Sequence, residues 1–272
     1  VKATSLMVCH PYYDFSTMKS ITMNWKLFYI LLGACLLSTL AVLPYAFTLQ
    51  ADTIKAIPYP LPFIVLASVL QSGILFAIAI LIGLALSRKV GFGLPILSGW
   101  IDGKRAMKPL KSILWISAKA GVAVGVAILV MDSLFARFGV TFSITSTDPP
   151  AWQGLLASFY GGIGEEVLLR LFLMTLLVWI STTIKTTTDG KPTRIGIWIA
   201  ILLSTILFGL GHLPATAAFT TLTPLVITRA IVLNGIGGIV FGWLYWKKGL
   251  ESAIIAHFTA DLVLHVLAPM LA

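Results

Sequence analysis

Residues 61–86 read LPFIVLASVLQSGILFAIAILIGLAL, an unbroken apolar run without a single charge. A helix needs about 20 apolar residues to cross the hydrocarbon core of a bilayer, and this run exceeds that. Six further stretches qualify, at 26–49, 112–135, 151–181, 195–213, 225–246 and 252–271. The expected fold class is therefore all-α, a polytopic membrane helical bundle of about seven transmembrane helices. The run Val90–Ile101 is too short to span and reads as interfacial or re-entrant; counted as a span, it would make eight. Composition agrees. The chain of 272 residues is 58% hydrophobic and 11% charged, whereas a soluble domain carries about 25% charged residues.

Residues 1–25 form a polar leader with no apolar core followed by a cleavage site, so no signal peptide is expected. Residues 26–272 read as one transmembrane domain, without repeats or a low-complexity linker. Cys9 and Cys35 offer no disulfide framework and no zinc spacing. The net charge of +9 does not form one patch. Its Lys and Arg residues lie between apolar segments, which argues against a nucleic-acid partner. If the N-terminus is cytoplasmic, 14 Lys and Arg residues fall on that side, from Lys2 to Lys248. Only Lys55, Arg137 and Arg229 fall on the other. This is the bias expected of cytoplasmic loops, and it fits an odd number of spans. The sixth span is expected to be broken at Arg229.

A charge at mid-bilayer costs about 2.5–3.5 kcal/mol on insertion scales. The fourth span nevertheless carries Glu165, Glu166 and Arg170, the fifth ends on His212, and the seventh carries His257, Asp261 and His265. Glu166 and Arg170 are i,i+4 neighbours and should form an ion pair. Glu165, turned by about 100° from Glu166, has no local cation. His257, Asp261 and His265 share one stripe, and Phe208 and His212 have the same spacing. The Glu166–Arg170 pair taken alone reads as structural, His265 as a satisfied interfacial histidine, and Asn234 and Gln71 as glue between helices.

Two carboxylates and two histidines suit water activation, directly or through a metal. HExxH, the GxSxG elbow and phosphate-binding loops are absent. Depth poses a problem. His257 lies six residues beyond Glu251, which should mark the cytoplasmic boundary, while His212 lies nearer the far side. Tilt, broken helices or a sunken loop at Gly249 would have to bring them together.

The motifs Glu165-Glu166-x-x-x-Arg170, Phe208-x-x-x-His212 and His257-x-x-x-Asp261 occur in that order on separate spans. The third is preceded by Gly238-Ile239-Val240-Phe241-Gly242-Trp243-Leu244-Tyr245. With these motifs, residues 150–265 resemble the CAAX protease and bacteriocin-processing family of intramembrane glutamate endopeptidases. The resemblance implies a metal-independent peptidase that needs no cofactor. Glu165 would activate water, His212 would assist, and His257 and Asp261 would stabilise the oxyanion. Asp261 stands where the family often has asparagine. Glu166 belongs to the same catalytic set, with Arg170 as its ion-pair partner and Phe208 in support. The expected partners are the lipid bilayer and a peptide: a prenylated CAAX tail, a leader peptide or a membrane segment.

Three alternatives remain open at the level of sequence. One is a zinc site built from Glu165, His212 and His257. Another is a non-enzymatic immunity or scaffold protein with the same fold. The third is a proton-coupled transporter that uses the buried carboxylates and histidines as a relay.

Overall fold

A computed structural model describes residues 23–104, 107–140 and 149–271. Most of the polar leader, with Cys9, Lys2 and Lys19, lies outside the described residues, as does Arg105. Among the described residues, seven helices are long and apolar enough to cross a membrane. In chain order the elements are α1 (Trp25–Leu49), the short α2 (Ala51–Lys55), α3 (Leu61–Val90), the short α4 (Pro95–Ile101) and α5 (Met107–Arg137). They continue with α6 (Ala151–Ile184), α7 (Arg194–Gly211), the short α8 (Leu213–Ala217), α9 (Pro224–Lys248) and α10 (Leu250–Leu271). The chain is a polytopic helical bundle and an integral, multi-pass membrane protein.

The long helices present lipid-like surface outward. On α3, Phe63, Leu66, Leu70 and Ile74 are each more than half exposed and lie on one face. An apolar face left open in this way needs a lipid neighbour. Further along α3, Phe76, Ile80 and Leu84 are buried in one core with Leu27, Leu31 and Cys35 of α1 and Val167, Leu171 and Met174 of α6. Polar caps start several helices: Asn24 accepts from the Leu27 amide at 3.1 Å, and Thr193 from that of Gly196 at 3.1 Å. Arg88 and Lys89 close α3, and Lys247 and Lys248 close α9, where the negative end of the helix dipole favours cations.

Two expectations need correction. α9 is not broken at Arg229; it runs unbroken from Pro224 to Lys248. The Arg229 guanidinium meets Asp132 of α5 at 2.6 Å, so the cation is neutralised by a partner 97 residues away and does not interrupt the helix. Nor does Glu251 mark a free boundary. The chain turns at Gly249, whose φ of 95° favours glycine, and Leu250, Ser252 and Ala253 are fully buried. The turn is roofed by the α3–α4 segment. Glu251 Oε1 accepts from the amides of Ile96 and Leu97 at 3.0 and 2.9 Å, and the Leu250 amide donates to Gly93 at 3.0 Å. Phe92 packs edge-on against Tyr245 at 5.1 Å. The stretch Val90–Ile101 is thus a short buttress and not an eighth span.

Candidate active site

His257 and His212 line one cavity, and α10 begins beneath the α4 segment. It meets α6 where that helix is locally widened: Tyr160–Glu165 and Val167–Met174 wind as π turns, with i→i+5 bonding of the kind often found at functional sites. Gly161 lies in the first π turn. The Oδ2 atom of Asp261 occupies the space a Cβ at position 161 would need, so only glycine lets α10 approach this closely.

His257 is the hub. It is 6% exposed and its ring stacks on Phe241 at 4.7 Å. Nδ1 donates to Glu166 Oε1 at 2.7 Å; an ionised carboxylate can only accept, so the proton sits on Nδ1. Nε2 points the other way. It lies 3.7 Å from Glu165 Oε2 and 3.7 Å from Asp261 Oδ1. Both separations are too long for a direct hydrogen bond and suit a bridge through one oxygen atom.

Behind His257 lies a closed polar layer. Glu166 is fully buried and its Oε2 pairs with Arg170 Nε at 3.2 Å. The Arg170 guanidinium donates to the Gly238 carbonyl at 3.2 Å. It also lies over the rings of Phe208 and Phe241, at 5.8 and 5.7 Å. The expected i,i+4 pair therefore forms, but Glu166 does more than balance Arg170: it also holds the catalytic-candidate imidazole.

In front of His257 lies a cavity of about 320 Å³. Glu165, His257, Asp261 and His212 all line it. His212 reaches it from the end of α7, with Nδ1 donating to the Phe208 carbonyl at 2.9 Å. A carbonyl only accepts, so neutral His212 keeps Nε2 free of a proton. Phe208 packs against both histidines, edge-on to His212 at 4.6 Å and to His257 at 6.3 Å. The structure thus gathers all five candidate residues and Arg170, with Phe208 between the histidines.

Other assignments shift. His265 has a polar partner, as expected, with its Nδ1 3.2 Å from the hydroxyl of Tyr45 on α1, but it also lines the cavity. Asn234 also lines the cavity, and its amide donates to Ala230 of its own helix at 2.8 Å instead of joining two helices. Gln71 is exposed on α3. Tyr45, Tyr160 and Gly161 escaped the sequence reading. The doublet Gly161-Gly162 was the one available hint of close packing; nothing around Tyr45 distinguishes it from other aromatics in apolar runs.

The three motifs sit within residues 147–263, the stretch that matches the family model of Rce1-like type II CAAX prenyl endopeptidases. The resemblance drawn from the motifs is borne out over that stretch. No curated protein and no solved structure matches the chain.

Proposed function

We propose that this protein is an intramembrane endopeptidase of the glutamate type, in which Glu165 activates the attacking water. One observation carries the reading: two carboxylates, Glu165 and Asp261, flank the same His257 Nε2 at 3.7 Å within one cavity. Glu165 takes a proton from water as the oxygen bonds to the scissile carbonyl carbon. The carbonyl becomes an oxyanion, stabilised by a protonated Asp261 and by His257, whose Nε2 donates when the ring carries a second proton; His212 assists through its proton-free Nε2, which can accept a hydrogen bond from the attacking water. The C–N bond then breaks and the proton held by Glu165 passes to the leaving amine, so the base is regenerated. Glu166, tied to Arg170, fixes the His257 ring and acts as a positioning residue.

The substrate is a peptide, either a prenylated C-terminal tail or a leader or membrane segment. Metal independence belongs to this proposal. Glu165 acts on water directly, and zinc held by Glu165, His212 and His257 is the rival. Purified protein in detergent, presented with a fluorogenic peptide panel, tests both points. Cleavage that persists after prolonged chelation and vanishes in Glu165→Gln is expected. Folded protein that cuts nothing would remove the enzyme reading. Activity lost to a chelator and restored by zinc would replace the direct mechanism with a metal one.

A further inference from the structure

Gln71 stands near the middle of α3, and its carboxamide makes no hydrogen bond among the described residues. The charge-free run 61–86 has its midpoint between Gly73 and Ile74, so Gln71 lies within about one turn of the bilayer centre. Counted from Leu61, where the helix begins, its depth is roughly 15 Å. A glutamine side chain is too short to carry its amide from there to the interface. Other polar side chains in the spans turn back onto their own helix. Ser68 donates to the Ile64 carbonyl at 2.9 Å, and Asn234 to that of Ala230 at 2.8 Å. Gln71 does not, and it faces out of the bundle.

The surface around it is a seam. Ala67, Gln71, Ile74, Ile78, Ile82 and Ala85 recur every three or four residues and are all exposed, so they form one stripe along α3. The stripe carries no charge. Lipid chains can cover its apolar members, but they cannot satisfy Gln71: hydrocarbon offers neither donor nor acceptor, and an amide left unpaired in it is costly. A second helix that brings its own amide supplies both.

We propose that this stripe docks against the same stripe of a second copy, forming a homodimer in which the two Gln71 side chains bond each other. All copies insert with one topology, so a symmetric pair has its twofold axis along the bilayer normal and its α3 helices parallel. Each residue near that axis then faces its own counterpart, and Gln71 meets Gln71. A primary amide carries both donors and an acceptor, so the pair is self-complementary; a charged residue in the same place would repel its counterpart. Ala67, one turn away, is small enough to let the backbones approach. One polar residue in an otherwise apolar seam also fixes register, as it does in coiled coils. The proposal does not depend on the endopeptidase reading, and α3 contributes no residue to the cavity.

The test uses the full chain with Cys9→Ser and the buried Cys35 retained. One cysteine is added, as Ala67→Cys, Ile78→Cys or Leu66→Cys, and the membranes are oxidised with copper phenanthroline. Ala67→Cys and Ile78→Cys should give covalent homodimers. Leu66 is also exposed but lies about 140° around the helix from Gln71, so Leu66→Cys should remain monomeric, as should the background. Association is then measured by energy transfer between donor-tagged and acceptor-tagged copies diluted stepwise in liposomes. Gln71→Leu should weaken it by about five- to thirtyfold, the loss expected for interhelical hydrogen bonds in a membrane. Its Tm in detergent should not fall, because Gln71 bonds nothing within the fold. Gln71→Asn keeps an amide and should retain most of the association. Equal crosslinking at all three positions, wild-type protein that stays monomeric at every dilution, or Gln71→Leu that pairs as tightly as wild type would each overturn the proposal. Cysteines on the stripe that crosslink only to a different protein would overturn it as well and assign the face to that partner.

Discussion

The two sides of the His257 ring contain the same kinds of residue in different states. Behind it, both oxygens of Glu166 are engaged: one accepts from Nδ1 at 2.7 Å and the other forms an ion pair with Arg170 at 3.2 Å, without a hydrogen bond of its own. In front, Glu165 and Asp261 both stop 3.7 Å short of Nε2. A carboxylate already bound to its partners fixes geometry, whereas one held just beyond bonding distance can exchange a proton. Adjacent glutamates on one helix thereby take opposite roles, separated by the turn of the helix between them.

The strongest way to break this contrast is Glu165→Gln. The amide keeps the shape and loses the base, so turnover should fall by about 10²–10⁴-fold, the range of general base catalysis. Thermal stability in detergent should stay at the wild-type value, because Glu165 faces the cavity. Normal turnover, or an unfolded variant, would show that the roles of the two glutamates are misassigned.

Glu166→Gln attacks the other side. It leaves Arg170 buried without its carboxylate, and breaking a buried ion pair costs about 3–5 kcal/mol. Melting temperature and activity should fall together. Adding Arg170→Met should return most of the stability, since an apolar side chain of similar length replaces the stranded cation. A stable but inactive Glu166→Gln would instead place Glu166 in the chemistry.

Asp261 tests the front face more gently. Asp261→Asn retains a hydrogen-bond donor and should keep turnover within about tenfold of wild type, whereas Asp261→Ala should lose about 10²–10³-fold, as for a lost oxyanion donor. Gly161→Ala pushes a Cβ into the place of Asp261 Oδ2 and should resemble Asp261→Ala. The double variant should be no worse than either single one, because both remove the same group. Equal and complete loss in Asp261→Asn and Asp261→Ala would mean that the carboxylate charge itself is needed.

Features set by one helix were legible in the sequence, and features set by two were not. The spans follow from apolar length, and the Glu166–Arg170 pair from a spacing of four. Phe208 and His212 are likewise neighbours on one turn. The second bond of Glu166 depends on α10, 91 residues away, and the Glu251 clamp on α4 joins residues 155 apart. Arg229 resembled a helix breaker because its partner, Asp132, lies on another helix. The π turns around Gly161 reset the facing of Glu165 and Glu166, which a period of 3.6 residues describes only approximately. Tyr45 carried no signal at all: an aromatic residue in an apolar span is ordinary until the helix beside it is known.

Tyr45 also supplies the smallest expected effect. Its hydroxyl lies 3.2 Å from His265 Nδ1, and the two rings meet edge-on at 5.5 Å. Tyr45→Phe removes the hydroxyl and keeps the ring contact, so α1 should still pack beside α10. A hydrogen bond of this kind contributes about 0.5–1.5 kcal/mol. Both residues line the cavity, His265 one turn of α10 beyond Asp261. The loss should therefore appear as a rise in KM of up to about tenfold, with kcat nearly unchanged, because the hydroxyl orders the cavity wall and takes no part in bond breaking. His265→Phe should give a similar change, and the double variant should add little to it. A fall in kcat with KM constant would extend the chemistry along the stripe from Asp261 to His265, and the division between a reacting front face and a passive cavity wall would have to be redrawn.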